Sequence, residues 1–181
     1  MISRFYLLPI FVLISVVCLA AEDVVSAVHG TIQKTDSVAK TIVVKTVDGG
    51  EHTFHFVGHT AVHGAEKIAA GARDAYHGLK EGSEVVVHYT AKGGEETAQE
   101  VDRIGEGGLK VAEGTVTRVD RGAKTLTFKT ANGADETYQM ADHAVKDAGK
   151  DIATGAEKSG KVTVYYTEKA GHKVVHFFKA L

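Results

Sequence analysis

The chain says the same thing twice, and that bounds its architecture more than any single residue. Residues 30–59 align without a gap onto residues 114–143, and eleven of those thirty positions are identical, among them Gly30/Gly114, Asp36/Asp120, Lys40/Lys124, Thr41/Thr125 and His59/His143. A second block, residues 85–90, matches residues 162–167, so the second copy is seven residues shorter between the blocks. A long period present only twice points to a duplicated small domain, because a solenoid needs at least about three units. Each copy holds roughly 75 to 85 residues, enough for one small core with little stability to spare.

The N-terminus reads as a processing signal. Arg4 precedes an apolar run from Phe5 to Val17, and Cys18, Leu19 and Ala20 form a small-x-small cleavage site before Ala21. The expected division is a signal over 1–20, a first domain over 21–107 and a second over 108–181. The expected location is exported, periplasmic or extracellular, with no membrane span after cleavage; an uncleaved anchor is the alternative. Cys18 is the only cysteine and would leave with the signal, which removes disulfides, thiol nucleophiles and sulfur-rich zinc sites. Residues 24–108 carry 8 Lys+Arg against 12 Asp+Glu, and residues 109–181 carry 12 against 9. Opposite net charges on the two copies favour their association and are too small to suggest nucleic acid.

Within each copy the pattern is mostly period two. Val28, Gly30 and Ile32 share one strand face, as do Ala112, Gly114 and Val116. A mid-strand glycine in both copies suggests the bend that closes a sheet into a barrel. Ile42 and Val44 alternate with Thr and Lys, as do Leu126 and Phe128, and Gly49-Gly50 and Gly133 mark hairpin turns. After His59 the spacing changes. Ala61, Ala65, Ile68, Ala72, Tyr76 and Leu79 recur every three or four residues, as do Val145, Ala148, Ile152 and Ala156, which predicts one helix per copy. A closing hairpin follows at 84–103 and at 161–178. The predicted fold is mainly β with one helix per repeat: tandem five-stranded barrels of order β-β-β-α-β-β, the layout of the OB-fold.

The stretches 30–36, 40–44 and 84–89, with their copies, resemble exported OB-like domains of unknown function found in bacteria. The layout is also similar to periplasmic copper/silver metallochaperones of efflux systems. That resemblance implies a metal held by His and Met side chains on the barrel beside a Trp. This chain has no Trp, and its Met140, three residues before His143, falls at a core position.

Histidine is the compositional outlier. Seven of ten lie in the first copy, densest at His52, His55, His59 and His63. Imidazoles suit Zn, Cu and Ni. A helix starting near Thr60 would bring His59 and His63 together, one turn apart, so His55, His59 and His63 are the candidate ligands. Solvated surface histidines are the plainer alternative. In the second copy His52, His55 and His63 give way to Glu136, Gln139 and Lys146.

No nucleophile elbow, phosphate loop or acid–base pair stands out, so no enzymatic activity and no resident cofactor is expected, beyond a possible Cu, Zn or Ni ion. Two readings follow. One is an exported binding or structural module that engages an envelope partner; the other is a histidine-based transition-metal binder or buffer.

Overall fold

The computed structural model describes residues 25–65, 75–142, 144 and 160–181. The signal over 1–20, Cys18 and His143 lie outside the described residues. Strands β1 (Val25–Asp36), β2 (Thr41–Thr46) and β3 (Glu51–His63) form an antiparallel meander. A small hairpin, β4 (Ala75–Tyr76) and β5 (Leu79–Lys80), precedes β6 (Glu84–Lys92) and β7 (Glu95–Arg103). The second half runs β8 (Lys110–Asp120), β9 (Thr125–Thr130), β10 (Asp135–Met140), β11 (Lys161–Lys169) and β12 (His172–Ala180). Two closed barrels result, in the orders β1-β2-β3-β7-β6 and β10-β12-β11-β8-β9.

Closure depends on the first strand of each barrel pairing on both edges. Gly30 faces Thr46 of β2 and Val85 of β6, and Gly114 faces Thr130 of β9 and Val162 of β11. A Cβ at Gly30 would overlap the Lys45 carbonyl, and one at Gly114 the Lys129 carbonyl. Glycine is therefore a steric requirement of the tight turn-in, with a bulge two to three residues later between Ile32 and Lys34, and between Val116 and Arg118.

The prediction of one helix per repeat is overturned in the first copy, where its positions are described. Ala61 belongs to β3, Tyr76 to β4 and Leu79 to β5, and no helix stands among the described elements. The reason is a tertiary pairing that outweighs local spacing: β3 runs on parallel to β7, with Ala61, Val62 and His63 opposite Glu100, Val101 and Asp102. His77 (φ 53°) and Gly78 (φ 80°) then make a tight turn that drops Leu79 into the first core. Ile68, Ala72, Val145, Ala148, Ile152 and Ala156 lie outside the described residues.

Each barrel has its own core, built on Ile32, Ile42, Val44, Phe54, Val85 and Val87 in the first and on Val116, Leu126, Phe128, Tyr138, Val162 and Val164 in the second. A third cluster joins them: Val86, Leu109, Tyr165 and Phe177 are buried together between the barrels. Burying a side chain of this size contributes about 1.5–3 kcal/mol. The barrels thus dock through the outer faces of β6–β7 and β11–β12.

Candidate metal centre

Strand alternation decides which side chains meet at this junction. Val87 and Val101 point into the first core, so Val86, His88, Glu100 and Asp102 point outward, beneath the second barrel. His88 pairs across the ladder with Glu100, and Val86 with Asp102. On the other edge of β7, His63 is in register with Asp102. From the second barrel, a register shift between Tyr165 and Tyr166 makes His176 an extra residue opposite that step. The bulge turns both His176 and Phe177 toward the first barrel, since Val175 and Phe178 stay in the core.

The polar atoms converge. His63 Nδ1 lies 2.9 Å from Asp102 Oδ1 and 3.1 Å from Glu100 Oε1. His176 Nδ1 lies 3.5 Å from the same Glu100 oxygen and 3.7 Å from Asp102 Oδ2, and His88 Nε2 is 4.0 Å from Asp102 Oδ2. The Asp102 side chain is only 1% exposed, yet its Oδ2 accepts no hydrogen bond. His63 is 54% exposed and opens onto a cleft of about 1130 Å³ between the barrels, floored by Gly105, Gly107 and Gly108 of the linker.

This arrangement is electrostatically unbalanced. Burial, reinforced by the neighbouring Glu100 charge, holds the Asp102 carboxyl above its usual range; His176, His63 and His88 oppose that. At His63 burial works against protonation, but the Asp102 hydrogen bond and the Asp102 and Glu100 charges outweigh it, and the imidazole is raised. One N–H at Nδ1 serves two carboxylate oxygens. A cation at that point would serve both and neutralise a buried charge.

The surroundings hold the group in place. Arg103 Nε donates to the Gly64 carbonyl at 2.7 Å, and the Arg103 guanidinium also donates to the Glu106 carbonyl. Gly64 adopts φ +68° and packs on Gly108, where any Cβ would overlap the Arg103 carbonyl. The end of β3 is therefore clamped to the linker directly after His63. On the far side, Thr167 Oγ1 lies 3.0 Å from His176 Nε2, which directs the ring's Nδ1 toward the two carboxylates.

His55, His59 and His63 are not brought together. His55 is half-buried on β3 opposite Thr41 and Thr97, and His59 is exposed in an excursion of β3 between Phe56 and Ala61. The route that joined His59 to His63 required the helix. Only His63 enters a group able to hold a metal, with Glu100 and Asp102, among the described residues. Those two carboxylates were missed because they are about forty residues away in sequence. Their signal was the alternation Glu100-Val101-Asp102, inward only at the valine, on the strand that a barrel of this layout pairs parallel to its third.

No family model and no curated protein matches the chain. Solved structures of small barrels do. A crystal structure of Ag(I)CusF is 15% identical, covers 44% of this chain and 96% of that one, and superposes with a TM-score of 0.33. CusF-Ag(I) residues 10-88 from Escherichia coli is 16% identical over 47% of this chain and 98% of that one, at 0.35. Apo-CusF from Escherichia coli is 15% identical over 48% and 94%, also at 0.35. Each of these matches spans less than half of this chain.

Proposed function

We propose that this chain is a non-catalytic, exported metal-binding protein that holds one divalent transition-metal ion at His63, Glu100 and Asp102. The observation that carries the reading is the convergence of one ligand atom each from His63, Glu100 and Asp102 within 4.8 Å of one another, around a carboxylate that is almost fully buried. In a tetrahedral zinc site with bonds of about 2.0–2.1 Å, neighbouring donor atoms lie roughly 3.3 Å apart. The 2.9 and 3.1 Å separations at His63 are close to that spacing.

The donors are imidazole and carboxylate, which suit Zn²⁺, Cu²⁺ and Ni²⁺ better than Cu⁺ or Ag⁺, ions that favour sulfur. Met140, the one methionine among the described residues, is buried in the second core. The ion reaches the group from the inter-barrel cleft through the exposed side of His63, which fits reversible binding or buffering. An envelope-docking module draws less support. The apolar outward residues Val86, Tyr165 and Phe177 are covered between the barrels, and the exposed Val38, Val47, Val57, Val111 and Leu181 are scattered over the β1–β2 turn, the β2–β3 turn, β3, β8 and the residue after β12.

Native mass spectrometry of the chain with stoichiometric Zn²⁺, Cu²⁺ or Ni²⁺ tests the reading. One tightly held ion is expected for the wild type and for His55→Ala and His59→Ala, and none for His63→Ala. Equal retention in His63→Ala would overturn it.

A further inference from the structure

His176 stands apart from the other members of the cluster because it arrives from the second barrel. Its Nδ1 approaches the same Glu100 Oε1 that faces His63, at 3.5 Å, and the Asp102 oxygen that His63 does not use, at 3.7 Å. Asp102 Oδ2 is buried, accepts no hydrogen bond and faces His176. Thr167, also in the second barrel, fixes the His176 ring from its opposite nitrogen. A buried carboxylate oxygen aimed across a domain junction at an oriented imidazole is what a ligand shared between two bodies requires.

We infer that the metal site is completed across the junction: His176 is the fourth ligand, and the bound ion ties the two barrels together. The inference rests on the reading of His63, Glu100 and Asp102 as ligands and adds the coupling between binding and docking. An ion that engages all four residues binds only the docked arrangement, so it stabilises docking by mass action. The linkage is reciprocal: whatever favours docking tightens metal binding by the same factor. Tyr165 and Phe177 hold the second barrel's strands against β6 and so set the position from which His176 reaches the carboxylates. The open cleft beside His63 lets the ion enter without the barrels separating.

The test uses the full chain with Zn²⁺ alone, measured two ways: affinity by competition with a chromophoric chelator, and hydrogen–deuterium exchange by strand. In the wild type, Zn²⁺ is expected to slow exchange in β11 and β12 as well as in β3 and β7. His176→Gln is expected to bind Zn²⁺ at least tenfold more weakly and to show protection in the first barrel only. Thr167→Val, which removes the orienting hydroxyl and leaves all four ligands, is expected to lose several-fold in affinity while keeping protection of both barrels. Circular dichroism of the metal-free variants separates these effects from misfolding. Unchanged affinity in His176→Gln, or wild-type protection confined to the first barrel, would overturn the shared site while leaving the three-ligand reading intact. A wild type that takes up no Zn²⁺ would remove both.

Discussion

The two barrels place the same framework around opposite outer faces. Register pairs Phe56 with Ala98 and Met140 with Val175, so β7 and β12 correspond at a constant offset. Under that correspondence the first barrel's His88, Glu100 and Asp102 are matched by Tyr165, Phe177 and Lys179 in the second. One face carries three titratable donors and the other two aromatic rings and a lysine, and the two face each other, with His88 edge-on to Phe177 at 6.4 Å between centroids. The cores, by contrast, exchange only one apolar residue for another: Val44 for Phe128, Phe54 for Tyr138, Phe56 for Met140. Closing the barrel constrains the inward positions and leaves the outward ones open to different chemistry.

A second pair of positions makes the same point. In the first barrel His52 Nδ1 sits 2.9 Å from Glu96 Oε1; in the second, the matched positions hold Glu136 and Lys173, 2.7 Å apart. The acid and the base have changed places. Lys173 also lies over the Tyr138 ring at 4.7 Å. Burial and the Glu136 hydrogen bond push the Tyr138 hydroxyl up to about 12, while the Lys173 hydrogen bond holds the Glu136 carboxyl below its usual range. The first link pairs an imidazole with a carboxylate, the second an ammonium with a carboxylate.

The largest expected effect probes what the barrels share. Gly30→Ala and Gly114→Ala each force a methyl group onto a neighbouring strand's carbonyl, and each should cost about 3 kcal/mol in chemical denaturation. A marked difference between them would mean that the two closures are not equivalent. Next, Phe177→Ala opens a void at the junction and should cost about 3 kcal/mol; because it loosens docking, it should weaken Zn²⁺ binding as well.

The pH dependence comes third. The raised His63 imidazole contributes stability that is full below the usual imidazole value of 6.5 and is lost as pH rises through its own higher value. The raised Asp102 carboxyl has the same sign, but its effect begins at the usual carboxylate value of 3.8, so the trend near neutrality is assigned to His63. The metal-free protein should therefore gain thermal stability between pH 8 and pH 6. The increment from Zn²⁺ should run the other way and shrink over that interval, because protons compete with the ion at His63. Parallel melting curves with and without Zn²⁺ read both trends. The smallest effect belongs to the swapped pairs. Lys173→Met and His52→Ala should each cost under about 1 kcal/mol in chemical denaturation, Lys173→Met the more because it also removes the contact over the Tyr138 ring.

These contrasts explain what could be read in the chain and what could not. Gly30, Ile42 and Val44, with their partners Gly114, Leu126 and Phe128, were legible because strand parity and a mid-strand glycine are local signals. The helix was misread because Ala61, Tyr76 and Leu79 mimic a helical stripe while their backbones pair in three different strands; the parallel partner that holds Ala61 is nearly forty residues away. The site was legible only at His63. Glu100 and Asp102 join it through that parallel ladder, and His176 through a bulge and a domain junction, neither of which leaves a local spacing.

The most direct measurement is X-ray absorption at the zinc K-edge on the chain loaded with one equivalent of Zn²⁺. The account predicts a four-coordinate nitrogen and oxygen shell at about 2.0–2.1 Å with scattering from two imidazoles, reduced to one in His176→Gln. A wild-type spectrum without imidazole scattering would contradict it.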